Sequence, residues 1–326
     1  MTMRPKIELH LHLEGAAPPK LIQRMAAEQG VRLDGVFDAD GSYKYNDFTG
    51  FLNVYEAATQ VLRTPEDFGR LTYAVLQQSA AQGVIYTEAF LSPDFCGGRD
   101  LGAWRDYLAA IQEAAASVPD IHMRGIVTCI RHFGPEAAQE VAECAAATAG
   151  DFITGFGMGG NEAVGTQGDF ARAFARAKAA GLHLTTHAGE FGGPESVRSA
   201  LDDLGVTRIG HGVRAIEDDA LVDRLAAEGI VLEVCPGSNV ALGLFERIED
   251  HPIDRLHARG VPITVSTDDP PFFHTTMGGE YAALTKAFGW RSETWLDINR
   301  TAARAAFCDD ATRNDLLTRL ETSWTT

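Results

Sequence analysis

Short apolar runs alternate with alanine-rich amphipathic stretches along most of this chain. Eight runs have strand length: Ile7–Leu13, Val84–Leu91, Arg124–Ile130, Phe152–Met158, Leu182–His187, Thr207–His211, Ile230–Cys235 and Val261–Thr267. Between them, segments such as Pro135–Ala149, Asp169–Ala180 and Asp218–Glu228 space their apolar residues as helices do. Gly181, Gly205, Gly229 and Gly260 stand where such helices should stop before a strand. Strand–helix alternation of this kind predicts an α/β fold, a parallel (β/α)8 TIM barrel. A doubly wound open sheet is the alternative, because a strand count does not establish closure.

One interval breaks the rhythm. The stretch from Leu13 to Val84 is much longer than an ordinary crossover. Within it Phe48, Phe51, Leu52 and Tyr55 follow helical spacing, and Val61 and Leu62 continue the apolar pattern. They predict a helical insertion over about residues 31–66. It is either an extra helix packed on the barrel or a lid whose Phe51 and Leu52 reach a ligand. Beyond the last strand, Glu293–Phe307 and Ala311–Leu320 predict two more helices covering the outside, within a single domain spanning 1–326.

Composition narrows the function classes. With 45% hydrophobic and 22% charged residues and no low-complexity tract, the chain reads as globular. Lys+Arg 28 against Asp+Glu 45 gives −17, which repels phosphate backbones, so nucleic acid is not an expected partner. No run of about 18 apolar residues offers a membrane span. Met1–Lys6 leads directly into the first strand, leaving no room for a signal peptide. Cys96, Cys129, Cys144, Cys235 and Cys308 are scattered, odd in number and without a C-x-x-C pair. They read as reduced thiols of a cytoplasmic protein.

Chemistry collects at the strand ends. In the first strand a period of two puts Ile7, Leu9 and Leu11 on one face and Glu8, His10 and His12 on the other. The two imidazoles would then lie about 7 Å apart along the strand, near enough to share an ion or merely to hydrogen-bond. Strand five ends in Thr186-His187-Ala188-Gly189-Glu190, strand six in Gly210-His211-Gly212, and strand eight in Ser266-Thr267-Asp268-Asp269-Pro270. Catalytic groups of such barrels come from the carboxyl ends of several strands. Three imidazoles and a carboxylate could surround one ion, and nitrogen-rich ligation suits zinc better than calcium or magnesium, with iron or cobalt also admissible. Strand four carries no lysine of the kind that often bridges two metals, which favours one zinc per chain. Gly155-Phe156-Gly157-Met158-Gly159-Gly160 satisfies G-x-G-x-x-G, yet no helix opens after it and no acid ends a following strand, so a dinucleotide site is not expected.

Together, Glu8-Leu9-His10-Leu11-His12-Leu13-Glu14-Gly15, His187-Ala188-Gly189-Glu190, Arg208-Ile209-Gly210-His211-Gly212 and Ser266-Thr267-Asp268-Asp269-Pro270 resemble the adenosine deaminase family in order and spacing. Val234–Asn239, Gly159–Glu162 and Phe48–Tyr55 are similar too. The resemblance implies a zinc aminohydrolase releasing ammonia from C6 of a 6-aminopurine, with a small purine nucleoside or base as its partner. By matching position, His10, His12, His187 and Asp268 would ligate zinc. Glu190 would protonate purine N1, and His211 would orient or deprotonate the water bound to the zinc, with Asp268 helping. Asp269 would accept a hydrogen bond from purine N7, and the Gly160 amide would donate to N3. Without the family the need is the same: adding hydroxide to an aromatic ring requires the adjacent nitrogen to be protonated as charge develops.

One position departs from the pattern. Adenosine-acting members generally carry aspartate where this chain has Glu14, at the sugar 5′ side, and adenine-acting members often carry glutamate. Other segments, including Gly192-Gly193-Pro194-Glu195-Ser196-Val197, look more like nucleoside-acting bacterial members. The expected substrate is adenosine or 2′-deoxyadenosine, with adenine as runner-up and aminodeoxyfutalosine as a further nucleoside. A non-catalytic purine-binding scaffold and a two-metal hydrolase are the competing classes.

Overall fold

The computed structural model describes residues 4–324. The expectation about a leader rests partly on Met1–Met3, which lie outside the described residues. Among the described residues, nine parallel strand segments run in chain order: β1 (Lys6–His12), β2 (Val84–Leu91), β3 (His122–Ile130), β4 (Ile153–Gly159), β5 (His183–Leu184), β6 (His187–Ala188), β7 (Arg208–His211), β8 (Val231–Val234) and β9 (Ile263–Val265). They form two sheets, β1-β2-β3-β4-β5 and β6-β7-β8-β9. β5 and β6 are two pieces of one stave. Between them Thr185 N donates to Phe156 O on β4, and the Thr186 carbonyl accepts from Gly210 N on β7. At the other seam His12 N donates to Asp268 O and Asp268 N to His10 O, joining the last strand to the first. Hydrogen bonds thus carry the ring round, and the doubly wound alternative lapses.

β1 departs from strict alternation. Glu8 pairs with Thr87 but Leu11 pairs with Ala89, so one extra residue is absorbed between them as a bulge. The bulge puts Glu8 on the side of Leu11, where its Oε1 accepts from Thr267 N and Oγ1, away from His10 and His12. The expected common face of Glu8, His10 and His12 therefore holds only for the two histidines.

The helices end as the glycines indicated. Gly205 and Gly229 take left-handed cap conformations, with φ of 64° and 68°. Helices Pro19–Gln29, Phe48–Thr59 and Pro65–Ala81 fill the long first connection, the second lying inside the insertion expected from spacing. Met277–Phe288, Ser292–Ala305 and Asp310–Trp324 complete the outside, the first of them unforeseen from spacing. The chain between the last two helices turns under the barrel, where Phe307 packs on Phe90 and Ile126. His183, which shares parity with His187, lies at the open base, stacked on Phe307, and not deep in the barrel interior. Among the described residues no helix is long and apolar enough to cross a membrane.

Candidate active site

Four side chains converge at the carboxyl ends of β1, β6 and β9. His10 Nε2 and His12 Nε2 each lie 3.1 Å from His187 Nε2, and Asp268 Oδ1 is 3.4 Å and 3.3 Å from His10 and His12. Gly210 on β7 makes room for this, since a Cβ there would stand 2.7 Å from His10 Cε1. Two of the three rings face inward with the far nitrogen engaged: His10 Nδ1 meets Glu233 Oε2 at 2.8 Å, and His187 Nδ1 meets Met158 O at 2.8 Å. A carbonyl only accepts, so His187 carries its proton on Nδ1 and turns a bare Nε2 lone pair toward His10 and His12.

This donor set fits a metal. Ligand atoms about 2.0–2.1 Å from a tetrahedral zinc are separated by about 3.3 Å, close to the distances observed. Burial lowers the pKa of His12 and drives that of His187 well down. Burial also opposes a charge on His10, yet the carboxylates of Asp268 and Glu233 raise it to about 9. The cluster therefore calls for one positive charge, as a proton or as a cation. His211, Cys235 and Asp268 form a second convergence, but burial pushes the Cys235 thiol well above its usual value, which disfavours a thiolate ligand there.

Beside the cluster stand Glu190, His211 and Asp269, all buried. His211 Nε2 is 3.7 Å from Glu190 Oε1 and 3.8 Å from Asp268 Oδ2. His211 and Asp268 both adopt positive φ, 62° and 68°, uncommon for residues with side chains and frequent at functional sites. Burial raises the Glu190 pKa well above normal, with the charges of Asp268 and Glu162 adding to it, so this carboxyl holds a proton. Burial lowers the His211 pKa to about 4, leaving it neutral.

Its tautomer follows from a chain of bonds behind it. Ile253 N donates to His251 Nδ1 at 3.1 Å, so His251 carries its proton on Nε2, which donates to Asn239 Oδ1 at 3.1 Å. The Asn239 amide then donates to His211 Nδ1 at 3.3 Å. His211 is thereby left with its proton on Nε2, facing the cluster.

The pocket above is lined by His12, His187, Glu190, His211, Asp268, Asp269 and Gly160 below and by Phe48, Phe51, Leu52 and Tyr55 of the Phe48–Thr59 helix above. Phe51 and Leu52 thus reach the cavity. Glu14 does not reach the pocket wall; its Oε2 sits 3.5 Å from the Tyr55 hydroxyl, and its Oε1 has no protein partner. Burial raises its pKa to about 7, against the lowering effect of backbone amides.

The roles of four supporting residues escaped the sequence reading: Glu233 behind His10, Asn239 and His251 behind His211, and Glu162, although Asn239 and Glu162 end segments that share the family's pattern. The Glu162 carboxylate accepts from four successive amides, those of Gly189, Glu190, Phe191 and Gly192. Glu233 had left a signal, since a carboxylate inside the apolar run Ile230–Cys235 requires a partner.

The family model described as adenosine deaminase matches residues 5–323. An adenine deaminase of Rhizobium leguminosarum bv. trifolii is 48% identical over 319 residues, covering 97% of this chain and 98% of its own. Among solved structures, the adenine deaminase of Arthrobacter aurescens superimposes with a TM-score of 0.92 at 31% identity, covering 99% and 100% of the two chains. A zinc-bound amidohydrolase from Burkholderia ambifaria follows with a TM-score of 0.88 at 26% identity, covering 99% and 91%. The first two of these relatives are named for adenine, the third only as an amidohydrolase.

Proposed function

The chain belongs to the adenosine deaminase family and is a hydrolytic deaminase acting on a carbon–nitrogen bond; within that class we propose that its substrate is adenine, converted by water to hypoxanthine and ammonia. The observation that carries this choice is the position of Glu14. Its carboxyl is buried off the pocket wall with the Tyr55 hydroxyl across it. A nucleoside that needed this carboxylate for its sugar would find it covered, whereas a bare base makes no such demand. The 48% identical relative named for adenine supports the same reading.

His10, His12, His187 and Asp268 would hold one divalent ion, zinc by the character of the donors. When bound, it supplies the Lewis acidity that makes hydroxide available at neutral pH. Glu190, protonated in its buried site, gives its proton to N1 as C6 is attacked. His211 presents Nε2–H, so it orients the attacking oxygen and stabilises its charge by donating. That tautomer supports the orienting role for His211, with Asp268 Oδ2, 3.8 Å from its Nε2, helping to handle the water proton. Burial and the neighbouring Asp268 raise the Asp269 pKa well above normal. A carboxyl in that state donates to the N7 lone pair, the reverse of the polarity expected. Gly160 lines the pocket and its N–H would serve N3, and the Phe48–Thr59 helix would act as the lid of a single domain.

The test is a substrate panel of adenine, adenosine, 2′-deoxyadenosine and aminodeoxyfutalosine, followed by loss of aminopurine absorbance and by ammonia release. Adenine should show the highest kcat/KM. A nucleoside ranking first would overturn the substrate, and no ammonia from any of the four would overturn the roles given to these residues. Glu190→Gln should keep the metal and lose turnover by about 100-fold or more.

A further inference from the structure

We propose that Glu162 is the positioning residue for Glu190: a carboxylate around which the loop carrying the proton donor is wound. Four consecutive backbone N–H groups converge on it, Gly189 at 2.7 Å on Oε1, and Glu190, Phe191 and Gly192 at 3.1, 2.8 and 2.8 Å on Oε2. The Ser196 hydroxyl donates to Oε1 as well. Successive amides turned to one point form an anion-binding concavity, and here the chain supplies the anion itself. Two glycines make the wrap possible. Gly189 has φ +70°, and a Cβ on Gly192 would stand 2.5 Å from Glu162 Oε1.

The opposite edge of the loop is fastened too. Arg214 N donates to Gly189 O at 2.9 Å, and Arg214 Nη1 donates to the Phe191 carbonyl at 2.5 Å. Glu190 itself has weaker holds, Asn239 Nδ2 at 3.5 Å and His211 Nε2 at 3.7 Å from its Oε1. Its place over the pocket is therefore set by its backbone, and its backbone by Glu162. The metal cluster does not depend on the clamp in the same way, since His10, His12 and Asp268 come from other strands. Loss of the clamp should displace the acid and spare the metal.

Glu162→Gln keeps the size and cannot keep the bonds. With its NH2 in place of Oε2 it would face three N–H donors, and in place of Oε1 it would face Gly189 N–H. A displacement of about 1 Å at a reacting group costs about 100-fold. The inference rests on Glu190 being the acid, so Glu190→Gln is measured alongside it. For zinc-loaded Glu162→Gln acting on adenine, we expect kcat to fall by at least about tenfold with KM changed by less than about threefold, and one metal per chain retained. Wild-type kcat in folded Glu162→Gln, with Glu190→Gln inactive, overturns the clamp alone; activity in Glu190→Gln overturns the acid assignment beneath it. A loss of kcat that follows loss of metal also overturns the clamp. Should Glu162→Gln not fold, Glu162→Ala purified in sodium formate decides: turnover restored with saturation in formate supports the inference, and no rescue overturns it.

Discussion

Glu233→Gln removes one charge from the middle of the barrel without changing volume, so its consequences follow from hydrogen-bond polarity. Oε2 receives His10 Nδ1 at 2.8 Å; Oε1 receives Arg208 Nε at 2.6 Å and Thr185 Oγ1 at 2.8 Å. Glutamine has one oxygen to divide between these partners. If its NH2 faces Arg208, a donor meets a cationic donor and the buried arginine keeps one carboxylate, Glu88 at 2.7 Å, beside the Ala305 carbonyl and the Phe307 ring. If its NH2 faces His10, the imidazole must accept at Nδ1 and carry its proton on Nε2, which removes the lone pair aimed at the cluster. Breaking a buried ion pair costs about 3–5 kcal/mol, and the surviving Glu88 contact puts this case near the low end. At about 2 °C per kcal/mol for a chain of this size, the melting midpoint should fall by about 6 °C.

The metal should respond more specifically than stability does. Loss of the carboxylate behind a ligating histidine weakens metal binding about 10–100-fold. Competition with a chromophoric chelator measures that directly, and the visible spectrum of the cobalt-loaded protein reports the altered ligand. Glu88→Gln is the control. It strands the same arginine from the other end, since Glu88 contacts Arg208, Tyr86 and the Phe307 amide but no cluster histidine. It should lose comparable stability and keep the metal affinity. Folded Glu233→Gln with wild-type affinity would falsify the link between Glu233 and the metal.

Other outcomes follow from the same geometry. Glu14→Asp shortens the carboxylate under Tyr55 and should raise the ratio of adenosine to adenine turnover; an unchanged ratio removes Glu14 from substrate choice. Chelation should lower the melting midpoint and abolish turnover, both restored by zinc, because it leaves facing imidazole nitrogens 3.1 Å apart. A midpoint indifferent to chelator would count against a metal in the cluster. Burial raises the Glu280 pKa to about 7 despite bonds from Thr275 and Gly237 that lower it. Below the ordinary carboxyl value near 4.5 both folded and unfolded forms are protonated; between there and about 7 only the unfolded form ionises, so stability falls as pH rises and levels off above 7. Glu280→Gln should flatten that slope, worth about 3 kcal/mol across the window, and an equally steep urea-unfolding profile would refute it.

The barrel and its reactive strand ends were legible because both depend on local periodicity. Helix-stopping glycines, β-length apolar runs and the histidines closing three of those runs can all be read within a few residues. The supporting partners depend on closure instead. His10 and Glu233 are 223 positions apart, and Gly189 and Glu162 27 apart, so nothing near either pair announces the contact. Some signal was present. Glu88, Arg208 and Glu233 each interrupt an apolar strand, and charges in such strands must find one another. The bulge in β1 had no signal of this kind, because it is a register shift against β2 and alternation along one strand cannot reveal it. His211's tautomer was equally out of reach, being set through Asn239 and His251 by the amide of Ile253.

The two halves of the site rest on different supports, and this bears on why the metal was easier to read than the substrate. Three of the cluster residues stand on strands and the fourth lies three residues past β9, and their partners, Glu233, Met158 and Ser238, lie in or beside the barrel. A change there disturbs packed neighbours on several strands at once. The groups proposed to face a purine stand elsewhere. Asp269 follows a strand end, Glu190 hangs from a loop wound on Glu162, and Phe51, Leu52 and Tyr55 arrive on the inserted helix, with Glu14 set back beneath Tyr55. Such segments can lengthen a side chain or shift a ring without moving the ligand cluster. One methylene at Glu14 is a change of that size, and Tyr55, which covers it, comes from a part of the chain that alternation does not describe. On the function proposed above, substrate choice rests on contacts between the insertion and the loop after β1, and it becomes readable only once the fold has brought Tyr55 over Glu14.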